Sequence, residues 1–540
     1  MSVSTVSTSP FEGQKPGTSG LRKKTKVFMQ AHYLENFVQS IFDAIGGVAG
    51  KTLVVGGDGR FFNDTATITI LRMMAAQGAA KAIIGRDTLL STPAASNLIR
   101  INKTDGGIIL SASHNPGGED EDFGIKFNAA NGGPAPEALT NAMFERTKTI
   151  DSYTIWEDTD IDLSFVRQTQ LGDMVIDIID PVDDYAEMMQ SLFDFPRIKA
   201  MIDLGAKLRF DAMFAITGPY VTRIIEELLG AKEAVTHGTP LPDFGGMHPD
   251  PNPTWAHELM AEMMGEGAPD FGCASDGDGD RNMIVGPNCY VSPSDSLAVI
   301  AANAHYAPGY KDGLKGVARS MPTSAAVDRV AAARGMECYE TPTGWKFFGN
   351  LMDDGRVSLC GEESFGTGSD HVREKDGVWA VLMWLNIMAA TGKSIPQLMA
   401  DHWAEFGRNY YTRHDFEAVD SDKANAMVDH LRKAVTDLKG QSFGPLTVDW
   451  ADDYAYTDPV DGSTSEHQGI RVVFEGGSRF VVRLSGTGTD GATIRLYLEK
   501  LDSSNFGLDP QDAVADVLSA AHEIMQLEGF TGRKTPDVVT

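Results

Sequence analysis

Asp276, Asp278 and Asp280 alternate with glycine in the run Ser275-Asp-Gly-Asp-Gly-Asp-Arg281, a pattern that points to a specific chemistry. The glycines let the backbone curl until three carboxylates face one cation, and hard oxygen donors select Mg²⁺ or Ca²⁺ over soft metals. An EF-hand loop needs glycine at its sixth place and glutamate at its twelfth, where this chain has Arg281 and Pro287. A plain acidic, glycine-rich turn is the alternative. Arg281 weakens metal binding unless it also serves a bound anion, so the run suggests a metal and a phosphate in one site.

Other loops supply matching groups. Ser111-Ala-Ser113-His114-Asn-Pro-Gly-Gly118 follows the apolar run Gly107-Ile-Ile-Leu110 and presents a hydroxyl on a tight turn. No Gly-x-Ser-x-Gly elbow surrounds Ser113, which argues against an ordinary hydrolase nucleophile. Lys126 lies in the strand-like Phe123-Gly-Ile-Lys-Phe127, where desolvation is expected to lower its pKa and suit it to acid–base work; a snorkelling surface lysine is the alternative. Cys360-Gly-Glu362-Glu-Ser364-Phe-Gly-Thr-Gly-Ser-Asp370 is dense in acceptors and hydroxyls that suit a sugar, with a turn-rich linker as the alternative. Lys375 follows it, and Thr341-Pro-Thr343-Gly344-Trp-Lys346 precedes it. Arg483-Leu-Ser485-Gly-Thr487-Gly-Thr-Asp490, with Arg495 beyond, has the glycines, hydroxyls and guanidinium of a phosphate cradle without the Gly-Lys closure of a P-loop. Gly17-Thr-Ser-Gly-Leu-Arg22-Lys-Lys24 repeats that vocabulary near the start.

Behind these loops, three segments share one grammar of apolar run, polar turn, amphipathic helix and glycine stop. They begin at Lys51, Lys199 and Lys315 and end at Gly78, Gly230 and Gly335. Such units build largely parallel sheets with active loops at strand ends. After Phe416 the pattern changes. A helical segment, Ala424 to Leu438, precedes strand-like runs at Ile470 to Phe474, Arg479 to Leu484 and Thr493 to Glu499, and a last helix starts at Asp509-Pro510.

Together, and in this order, these loops resemble the motif set of the α-D-phosphohexomutases over nearly the whole chain. The resemblance implies four domains around a central cleft: three similar α/β domains (residues 1–185, 186–300 and 301–406) and a C-terminal α+β domain of TATA-box-binding-protein-like fold (407–540). It implies that Ser113 carries a transferable phosphoryl group and that Asp276, Asp278 and Asp280 hold Mg²⁺, with the phosphoserine oxygen completing the protein ligands. Arg22, His114 and Arg281 are expected near the phosphoserine and substrate, Lys126 as general base, and Lys375 as a substrate contact sharing proton handling. Thr343, Gly344, Glu362 and Ser364 would recognise the sugar; Arg483, Ser485, Thr487 and Arg495 would hold the phosphate that is not reacting. The loop Gly361-Glu-Glu-Ser-Phe-Gly366 is similar to that of glucose-specific members, whereas mannose and glucosamine members more often read Gly-Glu-x-Ser-Gly-His. Ser111, where many relatives have threonine, and the acidic Glu119–Asp122 depart from the pattern.

The implied reaction interconverts glucose 1-phosphate and glucose 6-phosphate, with glucose 1,6-bisphosphate as activator and intermediate. A phosphomannomutase, a phosphoserine-dependent sugar phosphatase and a non-catalytic relative are the alternatives. With 46 Lys+Arg against 75 Asp+Glu, a net charge of −29 disfavours a nucleic-acid coat and a polybasic membrane anchor, so an anionic substrate needs a local basic pocket. Four scattered cysteines fit reduced thiols, the first 20 residues show no signal peptide, and the apolar run Val378–Gly392 is too short to span a bilayer. The expected setting is cytoplasmic, with sugar phosphates as partners and no obligatory protein partner.

Overall fold

The structure is a computed structural model that describes residues 3–17, 19–157, 161–488 and 491–540, the side chains of 486–488 excepted. Three sheets share one plan. In the first, Thr52–Gly57 lies between the parallel strands Lys81–Leu89 and Gly107–Leu110, and Asp122–Asn128 returns antiparallel beside the last. In the second the corresponding strands are Leu208–Asp211, Val235–Thr236, Phe271–Ser275 and the returning Asn282–Gly286. In the third they are Gly316–Ser320, Glu337–Thr341, Leu359–Glu362 and Gly366–Ser369.

The hairpin between the last parallel strand and its antiparallel return therefore recurs three times, and each copy carries one sequence motif. Ser111–Gly118 leaves Gly107–Leu110, the Asp276–Arg281 run leaves Phe271–Ser275, and Glu363–Phe365 leaves Leu359–Glu362. These parallel strands are buried throughout, and their side chains anchor the loops at strand ends.

One reading of the repeat needs correction. Lys199–Gly205 is not a strand: Phe195–Asp203 is a helix, and the strand follows at Leu208–Asp211. The Asp194 carboxylate caps that helix by accepting the Arg197 N–H, Pro196 sits in its first turn, and Phe195, Ile198 and Ile202 bury one face at helical spacing.

The run Val378–Gly392 belongs to the helix Gly377–Thr391, buried through Met388 at the middle of the largest apolar core. Asp376 caps it, accepting from the Trp379 N–H, and Gly392 closes it at φ 67° in the left-handed region. Its first N–H donates to the Gly279 carbonyl at 3.1 Å, so this helix points its N-terminus at the acidic loop. Among the described residues no single helix is long and apolar enough to cross a membrane.

The C-terminal unit is a seven-stranded antiparallel sheet backed by Ser421–Ala434 and Ala515–Met525. The runs at Ile470–Phe474, Arg479–Gly488 and Gly491–Asp502 are its central strands. Arg408–Val419, which the sequence reading passed over, pairs with Gly491–Asp502 along most of its length. Asp509 caps the last helical stretch with Pro510 behind it.

Candidate active site

The serine hairpin is fixed by main-chain contacts. Beyond Leu110 the Ser111 hydroxyl accepts the Ser113 N–H at 2.7 Å, and Ser113 turns into the left-handed region at φ 54°. The Ser113 hydroxyl is buried and donates to Asp276 Oδ2 at 2.9 Å, across 163 residues of sequence. The first two hairpins thus meet at the groups the motifs singled out.

In the acidic hairpin, Asp276 Oδ1 accepts the N–H groups of Asp280 and Arg281, both at 3.0 Å. Gly279 sits at φ 81°, a conformation that keeps the curl open to glycine. Asp278 lies over the N-terminus of helix Thr92–Ile101: Thr92 donates its N–H to the Asp278 carbonyl at 3.0 Å and its hydroxyl to Asp278 Oδ2 at 2.7 Å. All three carboxylates are buried, one oxygen from each lies within 4.8 Å of the others, and Oδ1 of both Asp278 and Asp280 has no hydrogen-bond partner. Dry, uncompensated carboxylate oxygens at that spacing fit a hard divalent ion. Burial and the neighbouring Asp278 and Asp280 push the Asp276 carboxyl well above its usual range. Burial acts the same way on Asp278, but Lys126, the Thr92 hydroxyl and Lys375 overcome it and hold that group below the usual range.

Cations ring the acidic cluster. Lys126 Nζ is 3.7 Å from Asp278 and 3.5 Å from Glu374, and Lys375 Nζ is 3.2 Å from Asp280. The expected direction for Lys126 is overturned. Burial does favour the neutral amine, but Glu374, Asp278 and Asp280 outweigh it and raise the pKa, so Lys126 is an ammonium here. Glu374, itself pushed up by burial, also accepts from Asn128 Nδ2 at 2.9 Å. Arg281 reaches Asp250 at 3.4 Å, and the Nε atoms of Arg22, Arg281 and Arg495 are buried without a hydrogen-bond partner, those of Arg281 and Arg495 lying 4.0 Å from Asp276 and 3.9 Å from Asp415. His114 Nδ1 lies 3.4 Å from the Ser113 oxygen, and burial together with Arg281 and Arg22 keeps its ring neutral.

A cavity of about 350 Å³ opens where these groups meet. Ser113, Arg22, Lys126, Arg281, Lys375 and Arg495 line it, as do Thr343, Gly344, Glu362 and Ser364. Five cations gather there beside the carboxylates of Asp280, Glu362, Glu363 and Glu374, in a chain whose net charge is −29. Glu362 Oε1 accepts the Gly344 N–H at 3.1 Å, linking the loops Thr341–Lys346 and Cys360–Asp370, and burial pushes its carboxyl up. The Thr343 hydroxyl is buried without a partner.

The phosphate cradle is placed less simply. Arg483 and Arg495 are cross-strand partners, and so are Ser485 and Thr493. Arg495 lines the cavity, whereas the Arg483 Nε donates to the Gln468 carbonyl at 3.2 Å and the side chain borders a separate recess with Asp453 and His467. The side chain of Thr487 lies outside the described residues. The acidic run pairs with the basic strand Leu21–Lys24 and the helical turn after it: Lys24 reaches Glu121 at 3.2 Å and Asp122 at 3.1 Å, and Lys26 pairs with Asp120.

Sequence reasoning missed Asp58, Arg60, Thr92, Asp250 and Glu374, all within the site's framework. Glu374 directly precedes Lys375, and Asp58 and Arg60 follow the apolar run of the segment that begins at Lys51. Their partners lie far along the chain, so spacing gave no cue to them.

Four family models match consecutive parts of the chain. "Phosphoglucomutase/phosphomannomutase, alpha/beta/alpha domain I" matches residues 13–154, domain II 183–288 and domain III 293–406, and "Phosphoglucomutase-1, C-terminal domain" matches 408–537. A phosphoglucomutase of Rhizobium radiobacter is 58% identical over 541 residues, covering 100% of both chains. Phosphoglucomutase 1 of Drosophila melanogaster is 51% identical over 559 residues, again covering 100% of both. The crystal structure of pp63/parafusin (a phosphoglucomutase) from Paramecium, in an open form, superposes with a TM-score of 0.94 at 46% identity, covering 100% of this chain and 99% of that one.

Proposed function

The chain belongs to the phosphoglucomutase/phosphomannomutase family, and from that premise we propose that it interconverts glucose 1-phosphate and glucose 6-phosphate by passing a phosphoryl group through Ser113. Its activity is of the phosphoglucomutase type, which makes it an isomerase. The observation that carries the assignment of Ser113 is its hydroxyl held 2.9 Å from Asp276, at a cavity lined from all four parts of the chain.

Phosphoryl transfer spreads negative charge over the phosphoryl oxygens, so catalysis is chiefly positioning and electrostatics. Mg²⁺ bound by Asp276, Asp278, Asp280 and the Ser113 oxygen would polarise the phosphoryl group and offset the carboxylates that keep Lys126 protonated. A sugar hydroxyl oxygen attacks phosphorus as the bond from phosphorus to the Ser113 oxygen breaks. The hydroxyl proton ends on the serine oxygen, with Lys126 as its carrier and Lys375 assisting. Arg22 and Arg281, whose Nε atoms have no hydrogen-bond partner, face the transferring oxygens. Glu362, Ser364, Thr343 and Gly344 receive the sugar hydroxyls, and Arg495, which lines the same cavity, holds the distal phosphate.

Glucose 1,6-bisphosphate then turns about so that its other phosphate meets Ser113, and the cleft must exclude water meanwhile. We also assign the enzyme to the cytoplasm, in keeping with four cysteines that are all free thiols. Ser113→Ala tests the reading: turnover should vanish while glucose 1-phosphate binding by calorimetry changes little. Near-wild-type mutase activity in that variant would refute it.

A further inference from the structure

Arg60 and Asp58 form a fully buried ion pair, with guanidinium Nη2 and carboxylate Oδ2 2.9 Å apart and neither side chain exposed. Neither lines the cavity. A buried pair of charges is weak evidence for stability, because desolvation offsets its Coulomb gain. What distinguishes this pair is where the remaining donors go.

The Arg60 Nε donates to both Asp58 oxygens at 3.0 Å. Nη2 donates to the Ser113 carbonyl at 2.7 Å, and Nη1 to the carbonyls of Asp122 at 2.8 Å and Asn115 at 3.4 Å. Those three carbonyls are the apex, the following bend and the end of the serine hairpin. A single planar fork thus fixes the hairpin at three points, which the one compact head of a lysine cannot do.

The same guanidinium contacts the neighbouring sheet's unit. Its carbon lies 5.2 Å from the Phe244 ring centroid, and the adjacent Phe61 N–H donates to the Pro242 carbonyl at 2.8 Å. A methyl placed on Gly277, between two of the acidic residues, would sit 3.4 Å from Arg60 Nη2 and well inside contact distance of the Ser113 carbonyl oxygen. Arg60 therefore stands where the serine hairpin, the acidic hairpin and Phe244 meet. Ser113 also occupies a left-handed conformation that its surroundings must enforce.

We infer that Arg60, oriented by Asp58, is the positioning residue that sets the Ser113 oxygen against the Asp276 carboxylate. The inference rests on Ser113 being the phosphoryl carrier. Ångström-scale misplacement of reacting groups costs on the order of 100-fold in rate without a matching loss of binding. Arg60→Lys and Asp58→Asn should each lower kcat by about 100-fold and leave KM for glucose 1-phosphate within about threefold. Phosphorylation of Ser113 by glucose 1,6-bisphosphate, followed by intact-mass spectrometry, should slow in parallel. Millimolar guanidinium should restore part of the activity of Arg60→Ala, which a general loss of stability does not allow.

Thermal melts run alongside separate folding from positioning. A folded Arg60→Lys or Asp58→Asn enzyme with kcat within threefold of wild type would overturn the inference. So would both variants failing to fold, since the pair would then be a determinant of the fold. If wild-type Ser113 takes up no phosphate, the functional reading fails first and this inference falls with it.

Discussion

Replacing Gly277 with alanine should test how closely the serine and acidic hairpins must approach. A Cβ at this position lands 3.3 Å from the Ser113 carbonyl carbon and 3.4 Å from Arg60 Nη2, with the Ser113 oxygen closer still and inside the 3.0 Å that real Cβ atoms respect. None of these neighbours can swing aside. The oxygen is main-chain and tied to Arg60 at 2.7 Å, and Arg60 is itself locked on Asp58. The hairpins must therefore part by roughly half an ångström, against a tolerance of about 0.2 Å in metal–ligand distances. A loosened site should raise the Mg²⁺ concentration for half-maximal activity by about tenfold or more and lower kcat by about 100-fold. KM for glucose 1-phosphate should change little, because the loop proposed to receive the sugar lies on another hairpin. The assay is mutase activity coupled to a dehydrogenase that consumes glucose 6-phosphate, titrated with Mg²⁺. Gly349→Ala is the control: it sits within helix Trp345–Asp353 with nothing within 4 Å of the added methyl, and should leave activity unchanged. A Gly277→Ala enzyme with wild-type kcat and Mg²⁺ dependence would refute the reasoning.

Other perturbations should separate the roles within the cleft. Lys126→Met should lower kcat by 10²–10⁴, roughly the range of general acid–base catalysis, with the protein still folded by circular dichroism. Asp250→Ala removes the carboxylate that steadies Arg281 at 3.4 Å and should raise KM for glucose 1-phosphate by about tenfold, read from initial rates. Stability should show a pH signature at Asp295, whose carboxyl burial pushes up to about 6 despite the pull of Arg408. Between about pH 4 and 6 the folded chain retains a proton that the unfolded chain has released, so this group's contribution falls as pH rises and is level above that window. Asp295→Asn should accordingly match wild type in thermal melts near pH 4 and exceed it by about 2–3 kcal/mol by pH 7. An unchanged difference across that range would count against the buried, raised carboxyl.

The local parts of the site were the most legible in the sequence. Three aspartates alternating with glycines in five residues can be curled toward one point, as their oxygens are here, and Ser113 at the end of Gly107–Leu110 follows from strand length and turn chemistry. Lys126 was found, but with the wrong charge preference, because its burial is visible in Phe123–Phe127 whereas Glu374 enters from 248 positions away. Arg60 went unrecognised for a related reason: it acts through main-chain carbonyls, which carry no sequence signature. At the level of elements, Lys199–Gly205 was taken for a strand when only its apolar content was weighed, although Asp194 and Pro196 mark the start of the helix Phe195–Asp203 that contains most of it. Arg408–Val419 escaped because its burial alternates only in part, broken by the buried run His414–Phe416 and a register shift after Phe416. Arg483 was placed with Arg495 from their spacing; their strands do pair, yet the two side chains border different cavities.

The central claim is that one phosphoryl group passes between sugar and Ser113. Enzyme carrying radiolabelled phosphate on Ser113 should be mixed with unlabelled glucose 1-phosphate and the products separated. Label should leave the protein and appear in glucose 1,6-bisphosphate, then in glucose 6-phosphate. Label that stays on the protein, or leaves only as inorganic phosphate, would contradict the account.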